Sequence, residues 1–156
     1  TMNLWIDISK PALMETLKQV DILIINDSEA KQLTQESNLI KAGRQILTYG
    51  PSRVIIKKGE HGALSLTESE FFALPAYPLA SVSDPTGAGD SFAGAFMGHL
   101  ASTDQPDNEE AIRQAIGYGT IVASFNVGDF SLNRLRNLTI FEIEERYEQL
   151  RKMVNF

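Results

Sequence analysis

Apolar and polar positions fall in short blocks along this chain. Two branched apolar runs, NLWIDI at 3–8 and DILIIN at 21–26, flank KPALMETLKQV, which has helical spacing and a Pro11 suited to a first helical turn. The pattern predicts strand, helix, strand, entered mid-fold because no turn or cap precedes Asn3. Asp27 or Ser28 is then placed to cap a helix through EAKQL, and LIKAGRQILTYG keeps helical spacing up to Gly50, a natural stop. RVIIKK at 53–58 reads as a third buried strand. This alternation predicts an α/β fold with a doubly wound, mainly parallel sheet and flanking helices. GALSL (62–66) and EFFALPAY (70–77), split by the polar TESE, read as antiparallel strands. Helices follow at 88–102, 108–125 and 140–153, the last with Thr139 and Glu142 spaced for a capping box. Without a repeat, a low-complexity tract or a linker, the 156 residues read as one domain.

Composition narrows the function. A chain 43% hydrophobic and 22% charged can bury a real core. Its net charge of −6 opposes sequence-independent binding of nucleic acid, so any phosphate needs a local site. The absence of cysteine rules out a disulfide framework and a cysteine-ligated zinc, and fits a cytoplasmic location. No apolar run of about 18 residues and no secretory leader is visible, so no membrane partner is expected.

The chemistry concentrates in SDPTGAGDSFAGAFM, residues 83–97. Gly87 and Gly89 allow backbone conformations closed to other residues and let a ligand approach the amides. Where a helix begins there, its first N–H groups lack internal partners and, with the helix dipole, attract an anion. Asp90 stands beside that place. Amides for the oxyanions and a carboxylate for a hydroxyl proton are what phosphoryl transfer needs. The same residues also fit a plain glycine turn with a first-turn acid. The loop lacks the Lys and hydroxyl that end a Walker-type P-loop, and it is not G-x-G-x-x-G.

DPTGAGDSFAGAFM (84–97) closely resembles the C-terminal signature of the PfkB, or ribokinase-like, carbohydrate kinases. NDSEAKQL (26–33) resembles the family's Asn-x-x-Glu element, VIIKKGEHGAL (54–64) its Lys-x-Gly-x-x-Gly turn, and IGYGTIVASFNVGDFS (116–131) its late nucleotide-side helix and loop. In this order they resemble the second half of such a kinase. Residues 1–156 then form the C-terminal ATP-binding and catalytic part, with no counterpart of the N-terminal part that carries the lid and most sugar contacts.

The resemblance implies transfer of the ATP γ-phosphoryl group, with Mg²⁺, to a sugar or nucleoside hydroxyl. It implies Asp90 as general base and the amides of Gly87, Ala88 and Gly89 as an anion hole. By the same resemblance Asn26 and Glu29 organise Mg²⁺ and phosphates, Glu29 through water, and Lys57 meets a phosphate or ribose. Gly59 and Gly62 then permit close approach of the nucleotide, Thr86 borders it, and Tyr118 is a candidate to touch its base. Asp84, with carbonyls of 126–131, is a candidate monovalent-cation site, for K⁺ by analogy with some family members. Each has a plainer reading: Asn26, Asp27 or Ser28 as a cap with Glu29 in the first turn, Asp84 as a turn residue before Pro85, Tyr118 and Phe125 as core. Lys58 is given no role, His61 reads as a turn residue, and His99 as helical packing or surface. The chain alone is expected to bind nucleotide weakly without turnover. It is also expected to self-associate, as a homodimer for instance, or to hold a mobile N-terminal segment, through surface near residues 3–8. The competing reading is a non-catalytic nucleotide- or anion-binding module.

Overall fold

The computed structural model describes residues 2–155. The chain divides into two compact units that meet in sequence at Ala73 and Leu74. The first unit opens with two helices, α1 (Met2–Ile8) and α2 (Lys10–Leu17), with Pro11 in the first turn of α2. Next come β1 (Ile22–Asn26), α3 (Asp27–Thr34), α4 (Leu39–Leu47), β2 (Arg53–Lys57), β3 (Ala63–Leu66) and β4 (Phe71–Leu74). These strands form one sheet in the order β1-β2-β3-β4. The α3–α4 crossover lets β1 and β2 run parallel, with Asn26 opposite Lys57, whereas the short turn after Lys57 forces β3 antiparallel to β2. The α/β class is the one the alternation predicts, and the parallel part of the sheet is the β1–β2 pair.

The strand expected at Asn3–Ile8 is instead helix α1. Asn3 Nδ2 donates to Gln32 Oε1 at 2.9 Å, and Gln32 Nε2 donates to Asp7 Oδ1 at 2.5 Å. Four residues span about 13 Å along a strand but about 6 Å along a helix, so only a helix lets residues 3 and 7 grip one glutamine of α3. Ile6 is buried, while Leu4, Trp5 and Ile8 are exposed. Core side chains come from alternate positions of the strands, Leu23 and Ile25 of β1 and Val54 and Ile56 of β2, packed with Leu33 of α3 and Ile46 of α4.

The second unit is helical: α5 (Ala88–Ala101), α6 (Glu109–Asn126), the single turn α7 (Asn133–Arg136) and α8 (Ile140–Val154). The three long helices fall within one residue of the predicted limits. Helix α6 contributes Ala115, Ile116, Ile121 and Phe125 to the interior, and α5 contributes Phe92 and Phe96. Thr139 and Glu142 close the start of α8 as a capping box. Among the described residues no helix is long and apolar enough to cross a membrane.

Candidate functional site

Helix α5 starts differently from α4, α6 and α8, whose first turns are capped by Asn38, Asn108 and Thr139. Its N-cap is Gly87, at φ +81° in the left-handed region, and no side chain caps the end. Pro85 before the turn and small residues after it let the chain reverse there. Ser91 N–H reaches back to Gly87 O at 2.8 Å and closes the first helical turn. Ala88 N–H donates to Pro85 O at 3.2 Å, so of the three expected anion-hole residues this amide is already engaged in the turn. The N–H groups of Gly89 and Asp90 precede any possible i−4 partner in α5. Asp90 lies in that first turn with its side chain exposed. An anion at this end would meet unpaired amides and the positive end of the helix dipole, beside a solvent-accessible carboxylate.

A hydrogen-bonded network supports the turn from behind. Asp84 Oδ1 accepts Thr86 N–H at 2.9 Å, an Asx-type turn around Pro85, and Asp84 Oδ2 accepts Ser131 N–H at 3.3 Å. Bonds from Thr86, side chain first and then backbone, together with Ser131, hold the Asp84 carboxyl below the ordinary carboxylate range. Ser83 N–H donates to Val127 O at 2.8 Å, and Ser83 Oγ to Gly128 O at 3.1 Å. Asn126 is fully buried; its Oδ1 accepts Ser91 Oγ–H at 2.9 Å and its Nδ2 donates to Ser131 O at 2.9 Å. The sequence named the carbonyls of 126–131 but not the Asn126 side chain or Ser91. A polar residue ending the apolar run IVASF was the available signal.

In the first unit, Asn26, Glu29, Lys57, Gly59 and Gly62 gather where β1 and β2 end. Asn26 and Lys57 are register partners there. Asn26 Oδ1 accepts Glu29 N–H at 2.8 Å, and Glu29 Oε2 accepts Asn26 N–H at 3.0 Å, so the pair forms the capping box of α3. Asn26, not Asp27 or Ser28, is the cap, and Ser28 Oγ donates to it at 2.7 Å. Glu29 is buried, with one carboxylate oxygen committed to the cap. After Lys57 the chain turns through Gly59 (φ +55°) and Gly62 (φ +84°), closed by Lys58 N–H on Gly62 O at 2.7 Å. Space is open where a Cβ on Gly59 would sit. His61 lies exposed in this turn.

Tyr118 sits in a stack, 4.5 Å from the His99 ring and 4.4 Å from the Tyr147 ring. Both faces of its ring therefore meet protein. Its hydroxyl donates to Glu144 Oε1 at 2.7 Å, and burial first, then that bond, raise its pKa well above the usual phenol value. Phe125 lies under the Arg146 guanidinium, 3.5 Å from the ring centre, and Arg134 approaches the same ring at 4.9 Å. Burial lowers the Arg146 value. Among the described residues, no three His, Asp or Glu side chains converge to hold a metal directly.

The pfkB family carbohydrate kinase model matches residues 2–135. A cytidine kinase of Thermococcus kodakarensis is 40% identical over 87 residues, covering 54% of this chain and 31% of the relative. The structure of a putative ribokinase II from E. coli, in complex with ATP and Mg²⁺, matches 96% of this chain and 46% of its own at a TM-score of 0.76 and 26% identity. That of aminoimidazole riboside kinase from Salmonella enterica, with aminoimidazole riboside and an ATP analogue, covers 90% and 46% at a TM-score of 0.80 and 23% identity. The chain spans about a third of the length of the curated relatives it matches, 31%, 37% and 34% for three of them. With the family model covering most of its length and a fold shared with ribokinase-type enzymes, this chain belongs to the pfkB family of carbohydrate kinases.

Proposed function

We propose that this chain is the C-terminal, nucleotide- and phosphoryl-handling part of a kinase that phosphorylates a hydroxyl of a sugar or nucleoside, in the cytoplasm. The observation that carries the reading is the uncapped start of α5: left-handed Gly87, the amides of Gly89 and Asp90 without helical partners, and the exposed Asp90 carboxylate in the same turn. Bound ATP with Mg²⁺ supplies the transferable phosphoryl group and offsets its charge. The chain's own contribution is to hold phosphoryl oxygens at the Gly89 and Asp90 amides while the Asp90 carboxylate accepts the acceptor's hydroxyl proton as the new phosphorus–oxygen bond forms.

The first-unit residues fit a supporting part. Glu29 retains one carboxylate oxygen beyond its cap, which suits contact with a hydrated Mg²⁺, an ion that keeps several of its waters. Lys57 offers a cation, and the open space at Gly59 offers room for a nucleotide. Asp84, kept ionised by its turn, is the group best suited to a monovalent cation. Similarity to a cytidine kinase, a ribokinase and an aminoimidazole riboside kinase supports a sugar or nucleoside acceptor.

The test is Asp90→Asn in a protein of full family length. Asn keeps shape and hydrogen bonding but cannot take the proton. Turnover at saturating ATP and acceptor should fall about 10²–10⁴-fold while melting and nucleotide affinity hold. A folded variant within about threefold of the parent would return Asp90 to the role of a first-turn acid.

A further inference from the structure

Asn126 is the one residue of the glycine-loop network whose side chain is wholly buried and bonded in two directions. It ends α6, and its amide lies between the first turn of α5 and the loop at 127–131. Through Oδ1 it holds Ser91, and through Nδ2 it holds the Ser131 carbonyl. The same Oδ1 lies 3.2 Å from where a Cβ on Gly87 would stand. Ser131 is itself left-handed, at φ +56°, a conformation a serine keeps only when its surroundings hold it there. Its N–H goes on to Asp84, which orders Thr86 on the far side of the turn. One carboxamide thus joins both ends of the segment that presents the Gly89 and Asp90 amides.

We infer that Asn126 is a positioning residue: its carboxamide sets the Gly87 turn, and so the place of the Gly89 and Asp90 amides, without itself touching the nucleotide. The inference rests on the anion-binding reading of the α5 start for its consequence, but its geometric part stands without it. A buried carboxamide bonded at both ends is costly to vacate, because removal strands Ser91 Oγ and the Ser131 carbonyl together. It also differs from a packing residue, since an apolar side chain of the same volume would fill the space and still release the turn.

The test uses amide NMR of the 156-residue chain in two steps. In the ligand-free protein, Asn126→Ala should shift the Thr86–Ser91 and Ser131 resonances and speed exchange at Ser91 N–H, with Phe96 and Ile116 signals unmoved. In the second step MgATP is titrated in. The parent should show shifts at Gly89 and Asp90, and the variant should bind about tenfold more weakly with those shifts reduced. Ser91→Ala, which removes one partner and leaves Asn126 in place, should give a smaller change of the same pattern, and it serves as the variant of record where Asn126→Ala does not fold. Unchanged ligand-free resonances at 86–91 in a folded variant would overturn the positioning role, as would equal MgATP affinity with equal shifts. A parent that does not respond to MgATP would instead sink the anion-site reading, while the ligand-free step still decides the role of Asn126.

Discussion

Helices α3 and α5 both start directly behind the residues that sequence reasoning marks as functional, yet they meet the demands of a helix start in opposite ways. At α3 the need is met internally: Asn26 takes Glu29 N–H and Glu29 takes Asn26 N–H. At α5 no side chain caps the end, and a left-handed glycine occupies the cap position. A helix start leaves donors that something must satisfy. Where neighbouring side chains do so, the residues are explained by stability alone, as Thr139 and Glu142 are at α8. Where they do not, the donors are available to an anion. The difference ranks the candidates: the α5 turn leaves donors that its own side chains do not satisfy, whereas the Asn26–Glu29 pair already has one complete role.

Substitutions can break that ranking. The largest structural effect is expected at Gly87→Ala, where the left-handed backbone alone costs roughly 1–2 kcal/mol and the new methyl would press on Asn126. Calorimetry should show melting lowered on the order of 5 °C and MgATP binding weakened together. Melting unchanged with binding lost would mean that the turn relaxes without strain.

Asn26→Ala and Thr139→Ala form a matched pair, since each removes a capping-box side chain at a cost of about 1 kcal/mol. Both should lower melting similarly. Only Asn26→Ala should also weaken MgATP binding; equal affinities for the two variants would leave Asn26 as a cap and nothing more.

The smallest effect concerns acid. Bonds from Thr139, side chain first and then backbone, and then the Arg134 guanidinium, hold the Glu142 carboxyl down at about 2, against an ordinary 4.5. A depressed folded-state value means that its contribution is complete above the ordinary value and is lost as pH falls from there towards 2. Glu142→Gln should therefore melt below the parent at pH 6, with the gap narrowing as the pH approaches 2. A constant gap across melting scans would show that the shape of the cap matters and its charge does not.

Much of this chain was legible as sequence because the determinants are local. The limits of α5, α6 and α8, the turn after Lys57, the break before Gly87 and the Thr139–Glu142 cap all depend on residues within a turn or two of one another. So did the signature at 84–97, which pointed to the family that the chain belongs to. Tertiary structure decided what local spacing leaves ambiguous. NLWIDI satisfies a strand pattern until Gln32, far along the chain, draws Asn3 and Asp7 onto one helical face. Tyr118 has no partner within its own helix turn, and only the approach of α5 and α8 covers both faces of its ring with His99 and Tyr147. Asn126 reads as the polar end of an apolar helix until folding brings Ser91, 35 residues away, to its carboxamide. Helix and turn preferences are set by energies between near neighbours, which a sequence displays directly; burial and hydrogen bonds across dozens of residues exist only once the chain has closed on itself.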